Sequence, residues 1–172
     1  MPEPLIVQQV EDFSLASIMA RKGVGPAGIA DALGCPVAAL PACTGDETLR
    51  VIATGPGTWL VLRSAAEPGW PSRLADSLAD VASVSDQSAG YVIFRFTGET
   101  AEDVLQRGVS IDLHPSAFGR DAVATTMIAH IGVILWRTSE TSFEVALFRS
   151  FAASFGEWVD QAKHASSLAN PF

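Results

Sequence analysis

Charge is scarce in this sequence. Of 172 residues, 17% are Asp, Glu, Lys or Arg and 48% are hydrophobic. The mean hydropathy is +0.28. Soluble domains average about 25% charged residues. Such a composition excludes intrinsic disorder for the bulk of the chain, because disorder needs low hydrophobicity and high charge. It also differs from that of a well-solvated monomer, since surplus apolar surface in a soluble protein commonly marks an interface. Cations are scarcer than anions: 11 Lys and Arg face 19 Asp and Glu, for a net charge of −8. The pI near 4.7 argues against nucleic-acid partners and anionic membrane surfaces, which both require a basic face. Lys22 and Lys163 are the only lysines. Arginine suits interfaces better than lysine, although codon composition explains the excess as simply.

Long apolar runs are absent. No stretch approaches the ~18 residues of a membrane span, and the longest candidate, Ala129–Trp136, has strand length. The first residues, MPEPLIVQQVEDF, carry Glu3, Glu11 and Asp12 where a secretory signal would be basic. The expectation is a cytoplasmic chain with reduced thiols. Cys35 and Cys43 are the only cysteines, with Pro36 and Pro41 between them, and their pairing is left open. Two cysteines without a neighbouring histidine do not form a structural zinc site, which takes four ligands. Neither has a cation beside it to lower its pKa. The three histidines, His114, His130 and His164, fall in a loop, beside a strand and on a terminal helix. They read as surface or hydrogen-bonded histidines, and no Gly-x-Ser-x-Gly elbow accompanies them.

The length fits one domain, able to bury roughly 70% of its unfolded surface without a metal or disulfide. Residues 1–47 read as an irregular N-terminal arm. Within it Glu11–Lys22 is expected as a short helix, with Phe13, Ile18 and Met19 on its apolar face as partner-interface candidates. Gly23, Gly25, Pro26, Gly28, Gly34, Pro36 and Pro41 then break regular structure. An α+β domain is expected over 48–165 and a frayed tail over 166–172. Leu49–Ala53 and Trp59–Leu62 read as a hairpin around Gly55-Pro56-Gly57. A helix follows over Pro71–Asp80 and a strand over Val81–Gln87. Tyr91–Thr97 alternates most clearly, placing Arg95 on the face opposite Phe94 and Phe96. Thr100 and Asp103 have the spacing of a capping box for a short helix that Gly108 stops. Ala122–Ile128, Gly132–Arg137 and Phe143–Phe148 read as strands. A last helix from Ser150 to about His164 carries Phe151, Phe155, Trp158, Val159 and Ala162. This order predicts the α+β class, with mixed, largely antiparallel sheets covered by helices in two split βαβ-like halves.

Few motifs carry chemistry. GVGPAG at Gly23–Gly28 lacks the preceding strand and the glycine spacing of a phosphate loop, and reads as flexible arm. Asp86 and Asp112 are candidate carboxylates for a pterin ring, against the simpler reading that each caps its own turn.

Five elements together resemble the gamma subunit of heterotetrameric sarcosine oxidase: Asp86-Gln87-Ser88, Phe94-x-Phe96-x-Gly98, Val104-Leu105-x-x-Gly108, Asp112-Leu113-His114-Pro115-x-x-Phe118 and Phe148-Arg149-Ser150-Phe151. More distantly, the layout is similar to the folate-binding domain of aminomethyltransferases. The resemblance implies a non-catalytic subunit acting in assembly and stability. Its complex would convert sarcosine to glycine and hydrogen peroxide and pass the one-carbon unit to tetrahydrofolate. Alpha, beta and delta partners would hold FAD, FMN, NAD, tetrahydrofolate and zinc, with no cofactor, metal or catalytic residue in this chain. The alternative is a stand-alone folate-binding or folate-dependent one-carbon-transfer protein, with Asp86 or Asp112 as a vestigial folate contact.

Overall fold

The computed structural model describes residues 4–169, and their side chains as far as Ser166. Its elements are β1 (Ile6–Val10), β2 (Phe13–Ala20), α1 (Pro26–Leu33), β3 (Cys43–Gly45), β4 (Leu49–Gly55), β5 (Thr58–Ser64), α2 (Trp70–Ser77), β6 (Ala82–Asp86), β7 (Tyr91–Thr97), α3 (Ala101–Gln106), β8 (Val123–Ile128), β9 (Ile131–Ser139), β10 (Ser142–Phe148) and α4 (Ala152–Ala169). A 3-10 turn at Arg149–Phe151 leads into α4. The chain forms two compact units. Of the described residues, one takes those up to Val10, Tyr91–Arg120 and those from Ala124; the other takes Glu11–Gly90 and Asp121–Val123.

Each unit holds one five-stranded sheet, ordered β8-β9-β10-β7-β1 in the first and β3-β4-β5-β2-β6 in the second. The registered pairs are all antiparallel. The two orders are the same plan. In both, a strand and a helix precede a three-strand meander, a second helix follows, and the first strand returns beside the third strand of the meander. One difference separates them. In the second unit the fifth strand, β6, follows its helix α2 directly. In the first unit the chain supplies that strand from its other end, as β1.

The second unit packs α1 and α2 on one face of its sheet. Ala16, Ile18, Val51, Ala53, Trp59 and Val61 meet Ile29, Leu74 and Leu78 there. The Pro56-Gly57 turn of the β4–β5 hairpin places Gly57 at φ +68°, in the left-handed region that favours glycine. α1 begins with Pro26 after Gly25 and ends with Gly34 at φ +69°, so breaker residues delimit the helix. In the first unit Phe155 of α4 meets Phe94 and Phe96 at centroid distances of 5.1 and 6.4 Å. Arg95 lies on the other face, as the alternation requires.

The N-terminal segment differs from its expectation. Glu11–Lys22 contains strand β2, not a helix, and β2 lies between β5 and β6. The physical reason is two-sided burial: Ser14, Leu15, Ala16 and Ile18 are all buried, so both faces of the strand are filled by small and apolar side chains. β1, α1 and β3 also fall within residues expected to be irregular. GVGPAG is not a flexible arm but the link from β2 into α1, with Val24 packed on the core. At α3 the expected capping box does not form: Thr100 makes no side-chain cap, and Glu102 and Asp103 occupy the first turn, where the helix dipole favours anions. α4 runs beyond His164 to Ala169, so the residues 166–169 of the expected tail are helical, and the remainder of that tail lies outside the described residues.

Candidate functional site

The two candidate carboxylates are spent on turns. Asp86 Oδ1 accepts the Ser88 amide at 2.9 Å, and Asp112 Oδ1 accepts the His114 amide at 2.8 Å. Both are Asx turns at exposed positions, Asp86 in the second unit and Asp112 in the first. His114 Nδ1 lies 2.7 Å from Ser116 Oγ and accepts the Ser116 amide at 3.3 Å. That contact is local and exposed, Asp112 bonds the backbone of His114, and among the described residues no contact joins a carboxylate to the ring as a triad would require. His130 sits in the β8–β9 turn at φ +67°. Among the described residues no three His, Cys, Asp or Glu side chains converge as metal ligands.

Among the described residues neither Cys35 nor Cys43 is in a disulfide. Thr44 Oγ1 donates to the Pro36 carbonyl at 2.5 Å, so Thr44 faces the segment that carries Cys35. Strand alternation turns its neighbour Cys43 to the opposite face of the sheet. Burial pushes the Cys35 thiol up, and the Asp46 carboxylate adds to the effect. A raised thiol pKa leaves less thiolate and a weaker nucleophile.

The groups that the sequence reading missed are buried charges. Glu144 is 1% exposed and pairs with Arg95 across β10 and β7, with Arg95 Nη2 at 2.6 Å and Nε at 2.8 Å from Oε1. Arg137, also 1% exposed, donates to the Glu140 carbonyl at 2.7 Å, to Glu102 Oε2 at 2.8 Å and to the Leu113 carbonyl. Its guanidinium carbon lies 4.3 Å from the centre of the Phe143 ring. Arg137 thereby joins α3, the loop after it and the β9–β10 turn. Gln106 holds the same loop from the other end, donating to the Ile111 carbonyl and accepting the Leu113 amide. The sequence does carry a trace of both charges. Each is a single charged residue inside an apolar strand, Trp136-Arg137 and Phe143-Glu144-Val145, and such a residue needs a partner when it is buried.

The partner-interface candidates separate. Ile18 is sealed in its own unit's core at 1% exposure, Phe13 is half-buried, and Met19 is 61% exposed. The spacing that would gather them on one helix face sends Ile18 and Met19 to opposite faces of β2.

A model described as the sarcosine oxidase gamma subunit family matches residues 22–165. The chain belongs to the sarcosine oxidase gamma subunit family. A sarcosine oxidase gamma subunit from Corynebacterium sp. (strain U-96) is 32% identical over 151 residues, which cover 84% of this chain and 72% of that protein. A chain in the solved structure of heterotetrameric sarcosine oxidase from Corynebacterium sp. U-96, in complex with pyrrole 2-carboxylate, superposes with a TM-score of 0.84 at 29% identity. The match covers 94% of this chain and 84% of that one. The glycine cleavage system aminomethyltransferase T from Bartonella henselae shares the fold, with a TM-score of 0.66 at 16% identity over 90% of this chain and 45% of its own.

In this gamma-family chain the five motif elements build the fold. Ser88, held by Asp86, accepts the Leu15 amide at 3.0 Å and so ties the turn to β2. Phe94 and Phe96 seat α4, and Gly98 at φ +128° lets the N-terminal backbone pass, since a Cβ there would lie 2.7 Å from the Pro4 carbonyl oxygen. Val104 and Leu105 are fully buried, and a Cβ on Gly108 would overlap the Trp158 ring. Leu113 is pinned by Arg137 and Gln106, and Phe118 is buried beyond it. Phe148 stacks on Tyr91 at 4.8 Å, and Arg149 donates to the Tyr91 carbonyl at 3.2 Å.

Proposed function

We propose that this chain is the non-catalytic gamma subunit of a heterotetrameric sarcosine oxidase and acts in assembly and stability of that complex. The observation that carries the reading is the likeness to a chain of the heterotetrameric enzyme over nearly the full length of both. It is supported by the use made of the polar groups: Asp86 and Asp112 cap turns, Glu144 is neutralised by Arg95, and Arg137 locks loops together. On this reading the alpha, beta and delta subunits hold FAD, FMN, NAD, tetrahydrofolate and zinc, the complex is cytoplasmic, and substrate choice among N-methyl amino acids lies outside this chain.

Co-expression tests it. Affinity capture of this chain together with the other three subunits should yield a yellow complex. Omission of the chain should lower the yield or the melting temperature of the flavin-bearing subunits while their residual turnover per flavin is retained. A colourless eluate holding this chain alone would refute the reading. The folate alternative rests on fold alone, and the contact that the structure gives each of Asp86 and Asp112 is the amide of its own turn. Calorimetric titration of the isolated chain with tetrahydrofolate addresses it, and heat saturating in the micromolar range would revive it.

A further inference from the structure

We infer that the outer edge of β1 is a docking edge, where an extended segment of a partner subunit carrying a basic residue adds a sixth strand to the first unit's sheet. This rests on the subunit reading above and deepens it. β1 ends its sheet, paired only to β7 through the unbroken register Ile6↔Thr97 to Val10↔Ile93. Among the described residues no other hydrogen bond reaches it. Its sequence, Ile-Val-Gln-Gln-Val, contains no charge and no proline, and Ile6 is 56% exposed, with Gln8 and Gln9 exposed beside it.

Native sheets protect such edges with charges, bulges, short strands or covering segments. The other three sheet ends show these devices. β3 spans three residues, and the residue before it bridges Ala122. β8 is bridged by Val109 at Ile128. β6, the topological equivalent of β1, exposes Ser83, Ser85 and the charged Asp86. An open, uncharged edge takes an added strand through main-chain hydrogen bonds.

Charge selects the occupant. The first twenty residues carry Glu3, Glu11 and Asp12 and no Lys or Arg, and Glu11 and Asp12 stand exposed just past the end of β1. A second copy of β1 would meet a segment whose only charges are acidic, like its own. A partner strand bearing Lys or Arg would be attracted.

The test is hydrogen–deuterium exchange across β1 in the isolated chain and in the co-expressed heterotetramer. The β1 amides facing away from β7 should exchange freely in the isolated chain and slow by about tenfold or more on assembly. Glu11→Lys should weaken assembly roughly fivefold at low salt, with a smaller effect at high salt. Unchanged β1 exchange in a complex that does assemble overturns this inference and leaves the subunit reading intact. Failure to assemble overturns both. Slow exchange already present in an isolated chain that sediments as a dimer overturns it in favour of self-pairing.

Discussion

Beneath α1 and α2 the second unit buries Ala16, Ile18, Val51, Ala53, Trp59 and Val61, and the Trp59 indole there donates to the Ala38 carbonyl at 2.8 Å. On the corresponding face of the first unit, Arg137 lies under Phe143 and reaches Glu102, while the opposite face buries Glu144 against Arg95. The same order of strands and helices is therefore filled in two ways, one dry and one threaded with ion pairs. The plan constrains where apolar side chains go, and it leaves open whether the remaining positions are closed by methyl groups or by paired charges. Removing one member of a buried pair is strongly destabilising, yet the intact pair often gives little net stability over an apolar replacement. The charged unit should be the more sensitive of the two to single substitutions without being the more stable.

Breaking that contrast starts with Arg137→Ala. It strands the Leu113 and Glu140 carbonyls and should cost about 4 kcal/mol, read by chemical denaturation. Hydrogen exchange in the same variant should speed up first in the Ile111–Phe118 loop. Leu78→Ala makes a cavity in the dry unit, where Leu78 is fully buried, and should cost about 3 kcal/mol. Gly108→Ala drives a methyl group into Trp158 and should cost about 2 kcal/mol, with tryptophan fluorescence altered. The double change Arg95→Met with Glu144→Leu makes the first unit resemble the second. It should shift stability by less than about 1 kcal/mol, whereas Arg95→Ala alone, which takes the arginine partner from the buried Glu144, should be clearly harmful.

The smallest effect belongs to Asp46 in the dry unit. The Leu49 and Thr48 amides hold its carboxyl below the usual range. A carboxyl with a folded pKa below its unfolded one stabilises the fold above the unfolded value, near pH 4, and loses that contribution as pH falls through the folded value. Asp46→Asn should flatten the acid limb of the stability–pH curve by lowering stability slightly at neutral pH, with the difference from the parent chain vanishing as pH falls below about 4.

β7 was legible because Val92, Phe94 and Phe96 alternate with Tyr91, Ile93 and the charged Arg95 in its sequence, and the β4–β5 hairpin because Gly-Pro-Gly marks its turn. β2 was not, because a strand filled on both faces by Ser14, Leu15, Ala16 and Ile18 shows neither a period of two nor a clear helical one. β1 was hidden for a different reason. Its partner lies beyond the whole of Glu11–Gly90, from Ile6 to Thr97, and no local pattern encodes so distant a pairing. Asp86 and Asp112 were visible as turn residues, and that simpler reading accounts for their hydrogen bonds. Glu144 and Arg137 escaped because a lone charge in a strand reads as a solvent-facing position until its cross-strand partner is known.

The remote origin of β1 sets an order of events on the ribosome. β1 is synthesised first, but β7 follows only after the whole of Glu11–Gly90 has been made. At translation rates of about 5–20 residues per second, that interval is on the order of 4–16 s. The second unit has all of its strands and helices in hand during that time, while the nascent N-terminal strand waits unpaired and without charge. The first unit closes last, and it closes by joining the first strand made to one from the middle of the chain.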